Sequence, residues 1–206
     1  MCAPMPAVTS LDPLPAQVVS VRAVVGAAFA DDPMLRWIFR GVEAHEHATA
    51  AWVGWFVEAF AAAGTVDVVL GDDGVPVAAA LWRTDASPLP YPQLPHLPGL
   101  MTAVLGSERS NSVLQGLGAF AEHKPEPPYH YLQFLAVHPD HQGGGLGRLL
   151  VLHGQQRASD AGRGVYLEST NPRNLGFYGS LGFRPTGEFT LQPDGPPAWP
   201  LWWSPA

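Results

Sequence analysis

Gln142-Gly143-Gly144-Gly145-Leu146-Gly147 holds four glycines in six positions, shortly after the apolar run Leu132-Gln133-Phe134-Leu135-Ala136-Val137. A backbone without side-chain bulk lets a ligand approach its amides closely. Leu146, Leu149, Leu150 and His153 then recur at helical spacing, so the glycines lie where a strand hands over to a helix N-terminus. Free N–H groups and the helix dipole make that junction an anion site suited to a pyrophosphate. The alternative is a tight glycine turn that holds no ligand. Two nucleotide patterns fail. A dinucleotide fold wants G-x-G-x-x-G near the start of its first strand–helix–strand unit, whereas these glycines come late, at 143, 144, 145 and 147. A triphosphate loop requires Gly-Lys-Ser/Thr, and Gly147 is followed by Arg148-Leu149.

Downstream lies a second constellation, Asn171-Pro172-Arg173-Asn174-Leu175-Gly176-Phe177-Tyr178-Gly179-Ser180-Leu181-Gly182-Phe183. Taken in order, Leu135-Ala136-Val137-His138-Pro139-Asp140-His141-Gln142-Gly143-Gly144-Gly145-Leu146-Gly147 and this segment resemble the two signatures of the GNAT N-acetyltransferases. Those signatures read L-x-V-x-P-x-x-Q/R-x-x-G-x-G/A and N-x-x-(x)-F-Y-x-x-x-G-F. The resemblance is specific over residues 129–184 and looser at Ala28–Pro33 and the C-terminal tryptophans. Within the superfamily, Ala28–Pro33, His138–Gly143, Leu167–Thr170 and Arg173–Leu175 are most similar to the actinobacterial puromycin N-acetyltransferase branch.

The resemblance implies the GNAT fold, a central mixed and mostly antiparallel sheet with splayed strands and flanking helices, using acetyl-CoA as cosubstrate. In that family the backbone matching Leu135, Ala136 and Val137 pairs with the pantetheine arm. The amides of Gly143, Gly144, Gly145, Leu146, Gly147 and Arg148 would hold the pyrophosphate, with Gln142 at the loop entrance. Asn174 is placed on coenzyme A, and Tyr178 near its sulfur.

Acetyl transfer to an amine needs a neutral amine, a stabilised oxyanion and a protonated leaving thiolate. A phenol can donate a proton, so Tyr178 is the candidate acid; its other role is packing between helix and sheet. The N–H of Leu135 is a candidate to polarise the thioester carbonyl. Glu168, with Tyr166 and Thr170 on one face by alternation, is the candidate base, since a carboxylate on an otherwise apolar strand invites a raised pKa. Its alternative is a buried structural hydrogen-bond partner. His130 and His138 compete for the same role. The eight histidines show no ligand spacing beside an acid, so no metal is expected.

In this family the acceptor enters opposite coenzyme A. The segments that would line its path supply Trp37, Phe39, Trp82, Tyr91, Trp199, Trp202 and Trp203, of which Trp37, Trp82, Tyr91 and Trp202 are the candidate contacts. An aromatic pocket suits an apolar, aromatic or cationic amine; the alternative for each tryptophan is the core. Residues 85–98 carry five prolines, are expected to hold no regular structure, and form a candidate lid.

Periodicity places helices at Gln17–Ala30, around Trp52–Ala63, and at Ser110–Ala121, Gly145–Ala161 and Arg173–Leu181. It places strands at Thr65–Leu70, Val75–Trp82, Tyr129–Val137, Val165–Thr170, Phe183–Leu191 and Trp199–Trp203. At most a short strand fits around Ala7–Leu11, and Pro200 predicts that the last strand is an edge or bulged strand. Strands first in hairpin order and later alternating with helices make a mixed α/β sheet. Length predicts one domain over residues 1–206. A composition 47% hydrophobic and 14% charged reads as globular, and a net charge of −7 argues against nucleic acid. Cys2 is the only cysteine, so no internal disulfide can form. No apolar run reaches membrane length and no leader pattern is visible, which predicts a cytoplasmic protein without a membrane partner, monomeric or homodimeric. The expected activity is transfer of acetyl from acetyl-CoA to a small-molecule amine, an antibiotic among the candidates. A peptide or protein amine is the runner-up, and a non-catalytic acyl-CoA-binding module is the reading from another class.

Overall fold

An antiparallel hairpin turning at Gly71–Gly74 sits in the N-terminal half of a sheet whose strands, numbered in chain order, run β1-β2-β3-β4-β5-β8-β6, with β7 paired to β8 off this path. The computed structural model describes residues 7–86 and 97–205. The strands are β1 (Val8–Ser10), β2 (Val66–Leu70), β3 (Pro76–Arg83), β4 (His130–Val137), β5 (Val165–Ser169), β6 (Arg184–Pro185), β7 (Phe189–Thr190) and β8 (Pro197–Trp203). The helices are α1 (Pro15–Ala28), α2 (Pro33–Ile38), α3 (His45–Ala62), α4 (Leu97–Leu105), α5 (Ser107–Glu122), α6 (Leu146–Asp160) and α7 (Leu175–Gly179). All pairings are antiparallel except β4 with β5.

Alternation along the strands sorts the core onto two faces. Val66 and Val68 of β2, Ala79 and Leu81 of β3, and Phe134 and Ala136 of β4 pack under α1 and α3. Val69, Ala78, Ala80, Trp82 and Leu132 pack against α6 and α7 on the opposite face. Phe134 and Leu132 are two residues apart, yet they lie on opposite faces. The cause is a bulge. Leu81 pairs with Phe134 and Trp82 with Leu132, so Gln133 has no counterpart on β3. The inserted residue turns the strand over and bends it, bringing Tyr131 round to the face of Phe134.

Next to this bulge, the β4–β5 ladder consists of two pairs only, His130 with Val165 and Tyr131 with Tyr166. From Leu132 onward β4 diverges from β5, and its β5-facing backbone groups are unpaired within the sheet. The sheet is therefore closed at one end and open in a wedge at the other.

Three expectations are corrected. Pro200 does not mark an edge or a bulge, because β8 lies between β5 and β6 and its pairing with β5 runs without a register shift. The Pro200 carbonyl accepts from the Thr186 amide at 2.9 Å, so its donorless nitrogen points to the same side, into the interruption between β6 and β7. Residues 85–98 are not wholly irregular: Thr84–Ala86 form a 3₁₀ turn and Leu97 and Pro98 open α4, where a first-turn proline lacks only an N–H that needs no partner. The strand expected over Phe183–Leu191 is two short pieces, β6 and β7.

Candidate active site

The loop that leaves β4 is built to expose amides. His138 Nδ1 accepts from the Asp140 amide at 3.3 Å, and Gln142 Nε2 donates back to the Val137 carbonyl at 3.2 Å, which pins a 3₁₀ turn at Pro139–His141. Gly143 and Gly145 both sit at φ +81°, the left-handed region that only glycine occupies without strain. Gly145 is the N-cap of α6, and no side chain caps that helix. Its first-turn N–H groups are thus left for another acceptor. A Cβ placed at Gly143 or Gly145 would meet nothing within 4 Å, so the concavity outside this loop is open. Arg148, in the first turn of α6, is exposed, as is Arg173 in the turn before α7.

On the other side of the wedge, Ser169 Oγ donates to the Asn171 carbonyl at 3.0 Å, and Asn171 Oδ1 accepts from the Arg173 amide at 3.1 Å. These bonds set the 3₁₀ turn Pro172–Asn174 from which α7 starts. Two edge-on ring contacts, with Phe177 and Phe183, hold Tyr178. Its ring is 8% exposed, and burial alone holds the phenol above its ordinary pKa. The hydroxyl therefore stays protonated across neutral pH and makes no hydrogen bond within the described residues.

The wedge opens into a cavity of about 400 Å³. Leu135, Asn174 and Tyr178 line it, and Glu168, Tyr131, Lys124, Arg83, Asp32, Gln133, Ser169 and Thr170 supply further polar groups. The Tyr131 hydroxyl donates to Glu168 Oε2, while Oε1 of the same carboxylate is buried and the Tyr166 hydroxyl adds to the field on the group. Burial pushes the Glu168 pKa up, against the hydroxyls of Tyr131 and Tyr166 and the charges of Lys124 and Arg83, which pull it down. Asp32 also has its pKa raised by burial, but its carboxylate is engaged. Oδ1 accepts from the Met34 and Leu35 amides at 2.9 and 3.2 Å as the N-cap of α2. The apolar lining includes Phe29, Met34, Trp52, Phe56 and Phe134, and α5 adds Leu114, Leu117 and Phe120.

Of the residues singled out in the sequence, the cavity brings together Leu135, Glu168, Asn174 and Tyr178. Ala136 of β4 is buried in the core under α1 and α3, and Val137 leads into the loop of Gln142, Gly143, Gly144, Gly145, Leu146, Gly147 and Arg148. The aromatic expectation is corrected. Trp37 is buried with its indole N–H donating to Asp194 at 3.2 Å. Trp82 lies on the opposite face, under Gly154 of α6. Trp202 packs against Tyr129 and over Gly164. None of the three lines the cavity. Tyr91, like most of the candidate lid, falls outside the described residues. His130 is buried outside the cavity lining and His138 sits in the loop, so neither reaches Glu168's position.

Sequence reasoning missed Phe29, Trp52, Phe56, Tyr131 and Phe134 as lining residues. The apolar stripe of α3 contained Trp52 and Phe56, but a stripe does not say which of its rings borders a void. It also missed Asp32 as a cap, although Asp-Pro is a helix-start signal as much as a stop. Among the described residues no group of three or more His, Cys, Asp or Glu side chains could hold a metal ion, and no helix is long and apolar enough to cross a membrane.

Comparison with known proteins agrees with this geometry. The chain is 37% identical over 90 residues to the L-amino acid N-acyltransferase MnaT of Escherichia coli K12, a stretch covering 41% of this chain and 52% of that protein. The chain thus spans about half the length of the curated relative it matches. A solved structure from Corynebacterium glutamicum, described as histone acetyltransferase HPA2 and related acetyltransferase, is 28% identical with a TM-score of 0.69, covering 98% of this chain and 97% of that one. The polyamine N-acetyltransferase of Drosophila melanogaster, which forms N-acetylagmatine, shares the fold at 18% identity and a TM-score of 0.66, covering 97% of this chain and 100% of that one. The profile of the acetyltransferase (GNAT) family matches residues 34–183. With the splayed strands and glycine loop in place over that same span, the chain belongs to the GNAT acetyltransferase family.

Proposed function

We propose that this protein is an acetyl-CoA-dependent N-acetyltransferase that acts by direct transfer on the primary amine of a small molecule. One observation carries the reading: Tyr178 and Glu168 open onto one cavity beside the unpaired backbone of β4. The residues present suit the cosubstrate. The unpaired edge from Leu132 to Val137 offers strand-like hydrogen bonds to an amide-bearing arm, and the open concavity at Gly143 and Gly145 offers amides to a pyrophosphate. Acetyl-CoA, when bound, supplies a thioester carbonyl to the amine and a thiol as leaving group.

The protein's own groups do the proton work. The Glu168 carboxylate takes the proton of the acceptor ammonium, while the Tyr131 hydroxyl donates to its Oε2 and fixes the group. A raised pKa makes this carboxylate a stronger base than an exposed one. The Tyr178 hydroxyl holds a proton beside α7 for the departing sulfur, and an N–H on the unpaired edge of β4, that of Leu135, polarises the carbonyl. No side chain is acylated. The apolar lining of Phe29, Trp52, Phe56 and Phe134 favours an acceptor with an apolar or aromatic body over an extended peptide.

The test is thiol release from acetyl-CoA across puromycin-like aminonucleosides, aminoglycosides, polyamines, arylalkylamines, free amino acids and peptide N-termini. Turnover is expected with at least one small amine, and is expected to fall by about 10²- to 10⁴-fold in Glu168→Gln or Tyr178→Phe. Tight acetyl-CoA binding with no release across the panel would instead favour a non-catalytic acyl-CoA-binding module.

A further inference from the structure

Most of the cavity lining is buried or half-buried, but it reaches solvent at Asn174, in the turn before α7, and at Gly118 and Ala121 of α5. These openings belong to opposite faces of the sheet. Tyr178 of α7 is part of the core that packs on the α6–α7 face, whereas Val113 of α5 is part of the core under α1 and α3. The glycine loop opens α6, so a coenzyme held there comes in on the Asn174 face. The opening on α5 has no part in that half of the reaction. Along α5, Leu114, Leu117, Gly118 and Ala121 fall on one helix face, three or four residues apart, and all four line the cavity. That face is bulky at its first two positions and small at its last two. Glycine inside a helix costs stability relative to alanine, so its presence needs a reason. Close packing supplies one at Gly116, where an added Cβ would lie 2.7 Å from Cη2 of Trp37 and 2.9 Å from the Leu191 carbonyl oxygen. Neither packing nor backbone accounts for Gly118. An added Cβ there would meet nothing within 4 Å, and the residue is not among those at positive φ. What the missing side chain leaves is room at the mouth of the cavity.

We propose that the acceptor enters past Gly118 and Ala121 and keeps the far end of its body in this mouth when bound, so that Gly118 sets how long an acceptor the enzyme takes. This rests on the transferase reading above. The cavity of about 400 Å³ must hold the acetyl end of the cosubstrate together with the amine. With the coenzyme filling the opening at Asn174, an elongated body projects through the opening on α5. The acceptor is therefore a primary amine whose apolar body is too long to be enclosed, and Leu114 and Leu117 flank its path. A short amine fits wholly inside and does not reach Gly118.

The test takes the best amine from the thiol-release screen and lengthens or shortens it, one methylene at a time, at the end remote from nitrogen. In Gly118→Leu, kcat/KM is expected to fall at least about tenfold for the long members and to stay within about twofold for the shortest. Gly118→Ala should lie between, and both variants should melt no lower than wild type, because each residue is a better helix former than glycine. A second readout needs no turnover. Cys2 is the only cysteine, so Gly118→Cys in a Cys2→Ser background offers one thiol to a maleimide. A long amine at about ten times its Kd, with desulfo-coenzyme A bound, should slow labelling about tenfold. Desulfo-coenzyme A alone should not slow it. Rejection of the long members by the wild type, an equal effect of Gly118→Leu along the series, or protection of the thiol by desulfo-coenzyme A alone overturns this inference and leaves the transferase reading intact. Absence of turnover with every amine removes both.

Discussion

Replacing Tyr178 by phenylalanine deletes one oxygen that faces the cavity and makes no hydrogen bond within the described residues. The ring contacts with Phe177 and Phe183 stay, because phenylalanine keeps the ring. No native bond is lost, so the stability of Tyr178→Phe should lie within about 1 kcal/mol of wild type. Tyr131→Phe is the control. There the lost hydroxyl is the donor to Glu168, and a bond to a charged group is worth about 1.5–3 kcal/mol. Loss of a positioned acid costs about 10²- to 10⁴-fold in rate, or about 3–5 kcal/mol of barrier. The expected pattern is a collapse of kcat in Tyr178→Phe, with coenzyme A affinity by calorimetry and the denaturant midpoint little changed. Unchanged kcat would show that water or the acceptor protonates the sulfur. A stability loss above about 2 kcal/mol would show instead that the hydroxyl anchors α7.

Wild-type kcat/KM should rise with pH through a limb above 4.5, the ordinary carboxylate value, because burial raises the Glu168 pKa and only the deprotonated form is a base. Glu168→Gln should abolish that limb; its survival in the variant would assign it to another group. Gly145→Val forces a β-branched residue to φ +81°, which costs about 1–2 kcal/mol, and puts a side chain into the open concavity. Acetyl-CoA should then bind at least about tenfold more weakly, a loss of about 1.4 kcal/mol, and undiminished calorimetric affinity would remove the loop from the site. Gly154→Ala would put its Cβ 2.1 Å from Cζ2 of Trp82, so chemical unfolding should reveal a loss of about 1–3 kcal/mol. A neutral result would mean that the Trp82 ring is free to move.

The parts legible in the sequence were those governed by local chemistry. The strand–glycine–helix passage from His130 to Asp160 and the turn into α7 follow from periodicity and from residues that only certain backbones tolerate. Glu168 and Tyr166 share a face by simple alternation. What stayed hidden depends on pairing across distance. Tyr131 and Glu168 are 37 residues apart, and they meet because Gln133 is an inserted residue, which no alternation pattern reveals. The tryptophans misled for a similar reason. Their size made them candidates for a pocket, but Trp82 is one residue from Leu81, and that single step puts it on the other side of the sheet. Pro200 was misjudged because its missing N–H was weighed against a continuous neighbour, whereas the neighbour is split into β6 and β7.

The two-pair ladder between β4 and β5 leaves a strand edge in the middle of the sheet instead of at its rim. An edge is a template for any chain that can supply the missing bonds, including another copy's. Helices shield the outer faces of this sheet, but nothing within the described residues fills the gap. A bound molecule lying along Leu132–Val137 would act as a surrogate strand and would confer stability by mass action. Amide hydrogen exchange along that stretch should slow when it is occupied, and a cell short of the ligand would hold a looser, more aggregation-prone population of the same protein.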